Sequence, residues 1–95
     1  MRTRPRSLGE VLAELLQQHG LIDRVKEFDA VNCWAEVVGE RIAGHSTAKD
    51  VRDGRLIVEV SSSGWRNELF YLKSEIVEKI NTRLGKKIIH DILFV

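Results

Sequence analysis

Apolar residues recur along this chain first at helical spacing, then with a period of two, then at helical spacing again, and finally as a nearly continuous run. Leu8, Val11, Leu12, Leu15 and Leu16 form the first helical stripe. Ser7 followed by Glu10 has the spacing of a capping box, in which the hydroxyl accepts from the third helical amide and the carboxylate reaches back to the cap. A helix is therefore predicted from Ser7 to a stop at His19-Gly20. A second is predicted from Ile22, with Val25, Phe28, Val31, Trp34 and Val38 on its buried side. Gly39 either ends or bends it, and the pattern resumes through Ile42 and Ala43 before Gly44-His45-Ser46, which favours one helix reaching Ala43. The first two helices are expected to pack as an antiparallel pair.

From Thr47 the period is two, and Asp53-Gly54 between two extended runs tolerates the positive backbone angles of a two-residue hairpin turn. In that register Val51 faces Leu56, Lys49 faces Val58, Thr47 faces Val60, and Arg52 faces Arg55. Leu56, Val58 and Val60 give the second strand a clean apolar face for helices to cover. Ser62 or Ser63 caps the third helix, whose stripe of Trp65, Leu69, Leu72, Ile76, Ile80 and Leu84 runs to Gly85, with Tyr71, Glu75 and Glu78 on the wet side. Residues 88–95 then read as a last strand, apolar on both faces. The prediction is an α+β domain of order α-α-β-β-α-β over residues 1–95, with a three-stranded sheet packed against helices and a short basic tail over 1–6.

Length adds that 95 residues suit one core and no second. No apolar run approaches the roughly 18 residues that span a bilayer. Arg2, Arg4 and Arg6 lead into an amphipathic pattern interrupted by Gly9, Glu10 and Glu14, which is unlike the apolar core of a secretory signal, so a cytoplasmic protein without a membrane segment is expected. A formal net charge of +1 lacks the global field of a dedicated nucleic-acid protein, so any such contact must be local.

The single cysteine, Cys33, falls within a helical pattern and reads as a buried thiol. His19, His45 and His90 are scattered without the paired spacing of metal ligands, and no base is tied by spacing to the serine run Ser61 to Ser63. No metal, cofactor or catalytic residue is predicted. Trp34 and Trp65 sit on apolar stripes and read as core together with Gly39, Leu56, Val58 and Leu69. The candidate phosphate contacts are Lys49, Arg52, Arg55 and Arg66, because two arginines opposed across a hairpin are costly unless an anion or water lies between them. A sheet covered on one side also leaves Ile57, Ile89, Leu93 and Val95 on the other, an apolar patch suited to a partner unless the first helix wraps round to bury it.

Two blocks carry a resemblance. Trp34-Ala-Glu-Val-Val-Gly39 with Ile42-Ala43 and His45 precedes Gly54, Leu56, Val58, Val60, Trp65, Glu68 and Leu69, and Ile80-Asn81, Gly85 and Ile92-Leu-Phe94 close the chain. In this order they resemble the KH-like domain of the DciA family of bacterial replicative-helicase loaders. The resemblance implies a non-enzymatic adaptor that binds the replicative helicase and assists its loading, with weak contact to single-stranded or forked DNA. The Gly-x-x-Gly loop with which KH domains grip single strands is missing, since Gly39 and Gly44 are five apart and enclose Glu40. Two other readings stay open: an RNA- or DNA-binding module without a helicase partner, and a homo-oligomeric structural domain using the last strand.

Overall fold

The computed structural model describes residues 7–18 and 20–95, at 16–18 as backbone only. The basic tail, His19 and the side chain of Leu16 thus lie outside the described residues. The elements run α1 (Leu8–Gln18), α2 (Leu21–Asn32), α3 (Trp34–Val38), α4 (Glu40–Ala43), β1 (Ser46–Arg52), β2 (Arg55–Val60), α5 (Ser63–Leu84) and β3 (Asp91–Phe94). The fold is α+β, with helices on a three-stranded mixed sheet of order β1-β2-β3 in which β1 and β2 are antiparallel and β2 and β3 parallel.

The helix expected to reach Ala43 is broken into α2, α3 and α4. Gly39 has φ 90° and ψ 164°, a region essentially confined to glycine, and no helix continues through it. Cys33 interrupts the path once more between α2 and α3. The three pieces wrap a corner that a straight helix would overshoot. Trp34, buried at the start of α3, donates its indole Nε1–H to the Ser46 hydroxyl (3.0 Å), and that hydroxyl donates to the Ile42 carbonyl (2.7 Å), so α3, α4 and the first residue of β1 are tied through one oxygen.

The hairpin forms on Asp53-Gly54 as predicted, with Arg52 opposite Arg55 and Val51 opposite Leu56, but the register then shifts by one residue. Ala48 faces Val58 and Ser46 faces Val60, leaving Lys49 in a β-bulge rather than opposite Val58. The reason is parity. Ser46 and Ala48 point inward, and an unbroken strand would next bury Asp50; one extra residue at Lys49 turns Asp50 out and Val51 in.

The stripe of α5 lies as read, with Leu69, Ile76, Ile80 and Leu84 buried, Ser62 accepting from the Trp65 amide (3.2 Å), and Gly85 closing the helix. The last strand is shorter than expected. Asn81 accepts from the amides of Ile88 (3.0 Å) and Ile89 (3.1 Å) and donates to the Ile89 carbonyl (2.8 Å), which holds residues 86–90 as a loop and drives Ile89 into the core.

Helices cover one face of the sheet. α2 lies on β1 and α5 on β2 and β3, around Trp34, Leu56, Val58, Leu69, Ile80, Ile89 and Ile92. The expected antiparallel pairing of α1 and α2 does not occur. The stripe of α1 faces solvent, with Leu8 75% exposed, and on α2 Val25 and Phe28 are exposed as well. The buried positions here are Ala30 on α2, Trp34 on α3 and Cys33 between them. Among the described residues no helix is long and apolar enough to cross a membrane.

Truncating Trp34 removes a fully packed indole, so Trp34→Ala lowers stability by about 3 to 5 kcal/mol. Ser46→Ala leaves the indole N–H without an acceptor and costs about 1 to 3 kcal/mol; urea unfolding of both variants measures the difference. Burial pushes the Cys33 thiol up from its ordinary value, outweighing the nearby Arg83 charge. Ellman's reagent at neutral pH is expected to modify it far more slowly in the native chain than in the unfolded one.

Candidate partner and nucleic-acid interface

The face of the sheet turned away from the helices is built by the outward alternation of all three strands. Asp50 pairs with Ile57 and Arg52 with Arg55 across the hairpin, while Arg55 lies beside Asp91 and Ile57 beside Leu93 across the parallel pair. Ile57 is half-buried, and Leu93 and Val95 are exposed. No helix covers this face among the described residues, so the alternative in which α1 wraps round to bury it is not what the chain adopts. Arg52, Asp53, Arg55, Ile57, His90 and Leu93 line a groove of about 430 Å³ here, which brings candidate cations and candidate apolar contacts into one site. Ile89 is not part of it. With no exposed surface, it is core rather than a docking residue.

The four candidate cations are not brought together. Arg52 and Arg55 stand side by side at the hairpin tip. Arg66 lies in the first turn of α5 and donates to the Val60 carbonyl (3.4 Å), at the far end of β2 and roughly 17 Å from Arg55 by the rise of a strand. Lys49, displaced by the bulge, lines a separate groove between α2 and β1 with Asp23, Glu27 and Asp50. The positive field at the tip is also moderated from within. Arg52 pairs with Asp50 (3.0 Å), and that hydrogen bond, helped by the Val51 amide, holds the Asp50 carboxyl below the usual carboxylate range. Arg55, the other cation of the groove, lies beside Asp91, and its charge acts on that carboxylate.

His90 and Asp91 enter the site unannounced by the sequence. The Asp53 carbonyl only accepts, so the His90 Nε2 at 3.0 Å carries the proton, and the His90 amide donates to the Gly54 carbonyl (2.8 Å). The imidazole sits so close beneath the turn that a Cβ on Gly54, whose φ is 75°, would lie 2.5 Å from the ring. Asp91 is pushed up by partial desolvation, but the Ile92 amide and the Lys73 ammonium at 3.2 Å outweigh this and its net shift is downward. Both residues arrive by a parallel pairing across more than thirty positions, for which local spacing holds no signal.

A second aromatic corner forms at the start of α5. Trp65, read as core, is half-buried: His45 stacks on it with ring centroids 4.6 Å apart, and the Arg41 guanidinium lies 5.6 Å from the ring centre. Among the described residues no group of three His, Cys, Asp or Glu side chains is placed to hold a metal ion.

The lowered pKa of Asp91 gives a pH test. A carboxylate stabilised in the fold contributes stability above its unfolded value, near 3.8, and loses it as pH falls through the lower folded value. Asp91→Asn is thus expected to be less stable than the parent chain at neutral pH, with the gap closing below about pH 3.8 in acid-unfolding curves.

The sequence profile of the family described as "Dna[CI] antecedent, DciA" matches residues 7–94. A UPF0232 protein of Rhodococcus jostii is 31% identical over 88 residues, covering 93% of this chain and 47% of its own length. One of Mycolicibacterium smegmatis is 32% identical over 85 residues, covering 90% of this chain and 44% of its own. Another of that species, named for its place in the recF-gyrB intergenic region, is 31% identical over 85 residues, 90% of this chain and 44% of its own length. The chain therefore spans less than half the length of these curated relatives. With the family profile matched over every described element, from the capping serine of α1 to the last residue of β3, the chain belongs to the DciA family.

Proposed function

We propose that this domain is a non-enzymatic, KH-like adaptor of bacterial DNA replication that binds the replicative helicase and assists its loading on DNA, acting in the cytoplasm. The family match over residues 7–94 carries the reading, and the encoding of one relative between recF and gyrB agrees with it. The uncovered sheet face supports it physically. Ile57 and Leu93 supply an apolar patch of the kind partners bury, while Arg52 and Arg55 border it with positive charge. Helicase contact is assigned to Ile57 and Leu93. Weak contact with single-stranded or forked DNA is assigned to Arg52 and Arg55, since Lys49 lines a neighbouring groove and Arg66 lies at the far end of β2. A second reading, a nucleic-acid module without a helicase partner, draws on the Arg41, His45, Trp65 and Arg66 corner, where a half-buried indole lies among cations.

Purified replicative helicase mixed with the chain is expected to form a complex by size-exclusion chromatography, and to lose it on replacing Ile57 and Leu93 by Ser without loss of the fold. No complex with the parent chain refutes the adaptor reading; a double variant that unfolds refutes the assignment of these residues. DNA binding is expected to be weak, steeply salt-dependent and indifferent to sequence. Changing Arg52 and Arg55 together to Glu is expected to abolish it, and binding that survives would move the site to the Trp65 corner.

A further inference from the structure

The first two helices keep their apolar stripes in solvent. On α1 these are Leu8, Val11, Leu12 and Leu15; on α2 they are Leu21, Val25 and Phe28, the last 70% exposed. Leu8, Leu12 and Leu15 share with Leu21, Val25 and Phe28 the same i, i+4, i+7 spacing over two turns, the pattern that another helix buries. Within one copy the stripes do not cover each other. The chain turns at Gly20 with φ 68°, and α1 makes no more than marginal contact with any element but α2. The radius of gyration, 16.9 Å, is well above the roughly 12 to 13 Å of a compact domain of this length. The α2 stripe instead floors an apolar groove of about 370 Å³ lined by Leu21, Arg24, Val25, Phe28 and Asp29.

We propose that this groove receives α1 of a second copy of the chain, so that two copies exchange their first helices about a two-fold axis, each α1 stripe lying on the partner's α2 stripe. Both halves of the contact are present in every copy, which is what a self-complementary, two-fold interface requires, and a short connection between a projecting helix and its docking face is the usual setting for such exchange. The area suffices. With a fully exposed large apolar side chain offering roughly 150 to 200 Å², the seven residues leave roughly 600 to 700 Å² per copy, or about 1,300 Å² for the pair. That lies within the 1,200 to 2,000 Å² range of specific interfaces, near its lower end, where affinities are about micromolar. α2 lies on the helix-covered side of the sheet, so the exchange leaves the Arg52 and Ile57 face free, and the inference does not depend on the function proposed for that face.

Sedimentation velocity of the 95-residue chain between about 1 and 100 μM tests this. A reversible dimer is expected, and Leu12→Glu and Phe28→Glu, each altering a residue exposed in one copy, are each expected to weaken it by about 100-fold or more while leaving the circular dichroism spectrum unchanged. Mixing the two variants distinguishes exchange from other pairings. One of the two contacts then joins an intact α1 to an intact α2, so the mixture recovers part of the dimer that neither variant forms alone. A parent chain that stays monomeric at about 100 μM overturns the proposal and assigns the stripes to a different protein. So does a dimer whose mixed variants show no recovery.

Discussion

The buried indole N–H of Trp34 sets the terms for everything upstream of the hairpin. A ring of that size belongs in the core, but its donor cannot be left there without a partner. Ser46 meets the demand, and because its hydroxyl also donates to Ile42 it is fully satisfied where a side chain of the wrong length or polarity would leave a gap. This requires the first residue of β1 to point inward. An inward Ser46 makes Ala48 inward too, and only the bulge at Lys49 then returns Val51 to the core beside Leu56. The displacement of Lys49 from the cationic tip thus follows from a hydrogen bond made on the other side of the sheet.

The open face owes its character to the same one-sided burial. With α2 and α5 both on the inner face, the outer one collects whatever alternation leaves over: charged residues near the turn, and Ile57 and Leu93 behind them. The charge there is local. Asp50 and Asp91 stand beside Arg52 and Arg55, so the field that reaches a phosphate is smaller than two arginines suggest and decays within about 10 Å at ordinary ionic strength. A site of this kind contributes orientation more than affinity, which suits the proposed role of an adaptor to a helicase.

Much of this was legible in the sequence where one periodicity governs one element. The stripe of α5, the serine cap, the Asp53-Gly54 turn and the pairing of Arg52 with Arg55 all follow from local spacing and turn chemistry. The readings that failed did so where a polar side chain far away decides the backbone. Nothing near Lys49 signals a bulge, since the demand comes from Trp34. Nothing within 86–90 says that Asn81 will take its amides, so a run apolar on both faces looked like strand and Ile89 looked like surface. The breaks at Cys33 and Gly39 were half visible, because a glycine marks a place where a helix can stop without saying that it does. For α1 the stripe was correct and its partner was not: amphipathicity marks an apolar face without saying what covers it.

The contact of His90 with the hairpin turn has a consequence for the order in which this molecule assembles. The hairpin closes over two residues and needs little chain entropy to do so. β3 must return to β2 across the thirty residues 61–90, and parallel pairing gives no reward until that loop, with α5 inside it, is laid down. The imidazole under Gly54 and the Leu93 side chain therefore reach the groove only with the pairing that closes this long loop. A chain in which residues 86–95 have not yet docked carries the arginine pair but not the His90 and Leu93 walls of the groove, and so becomes competent to recognise anything there only once β3 is in place.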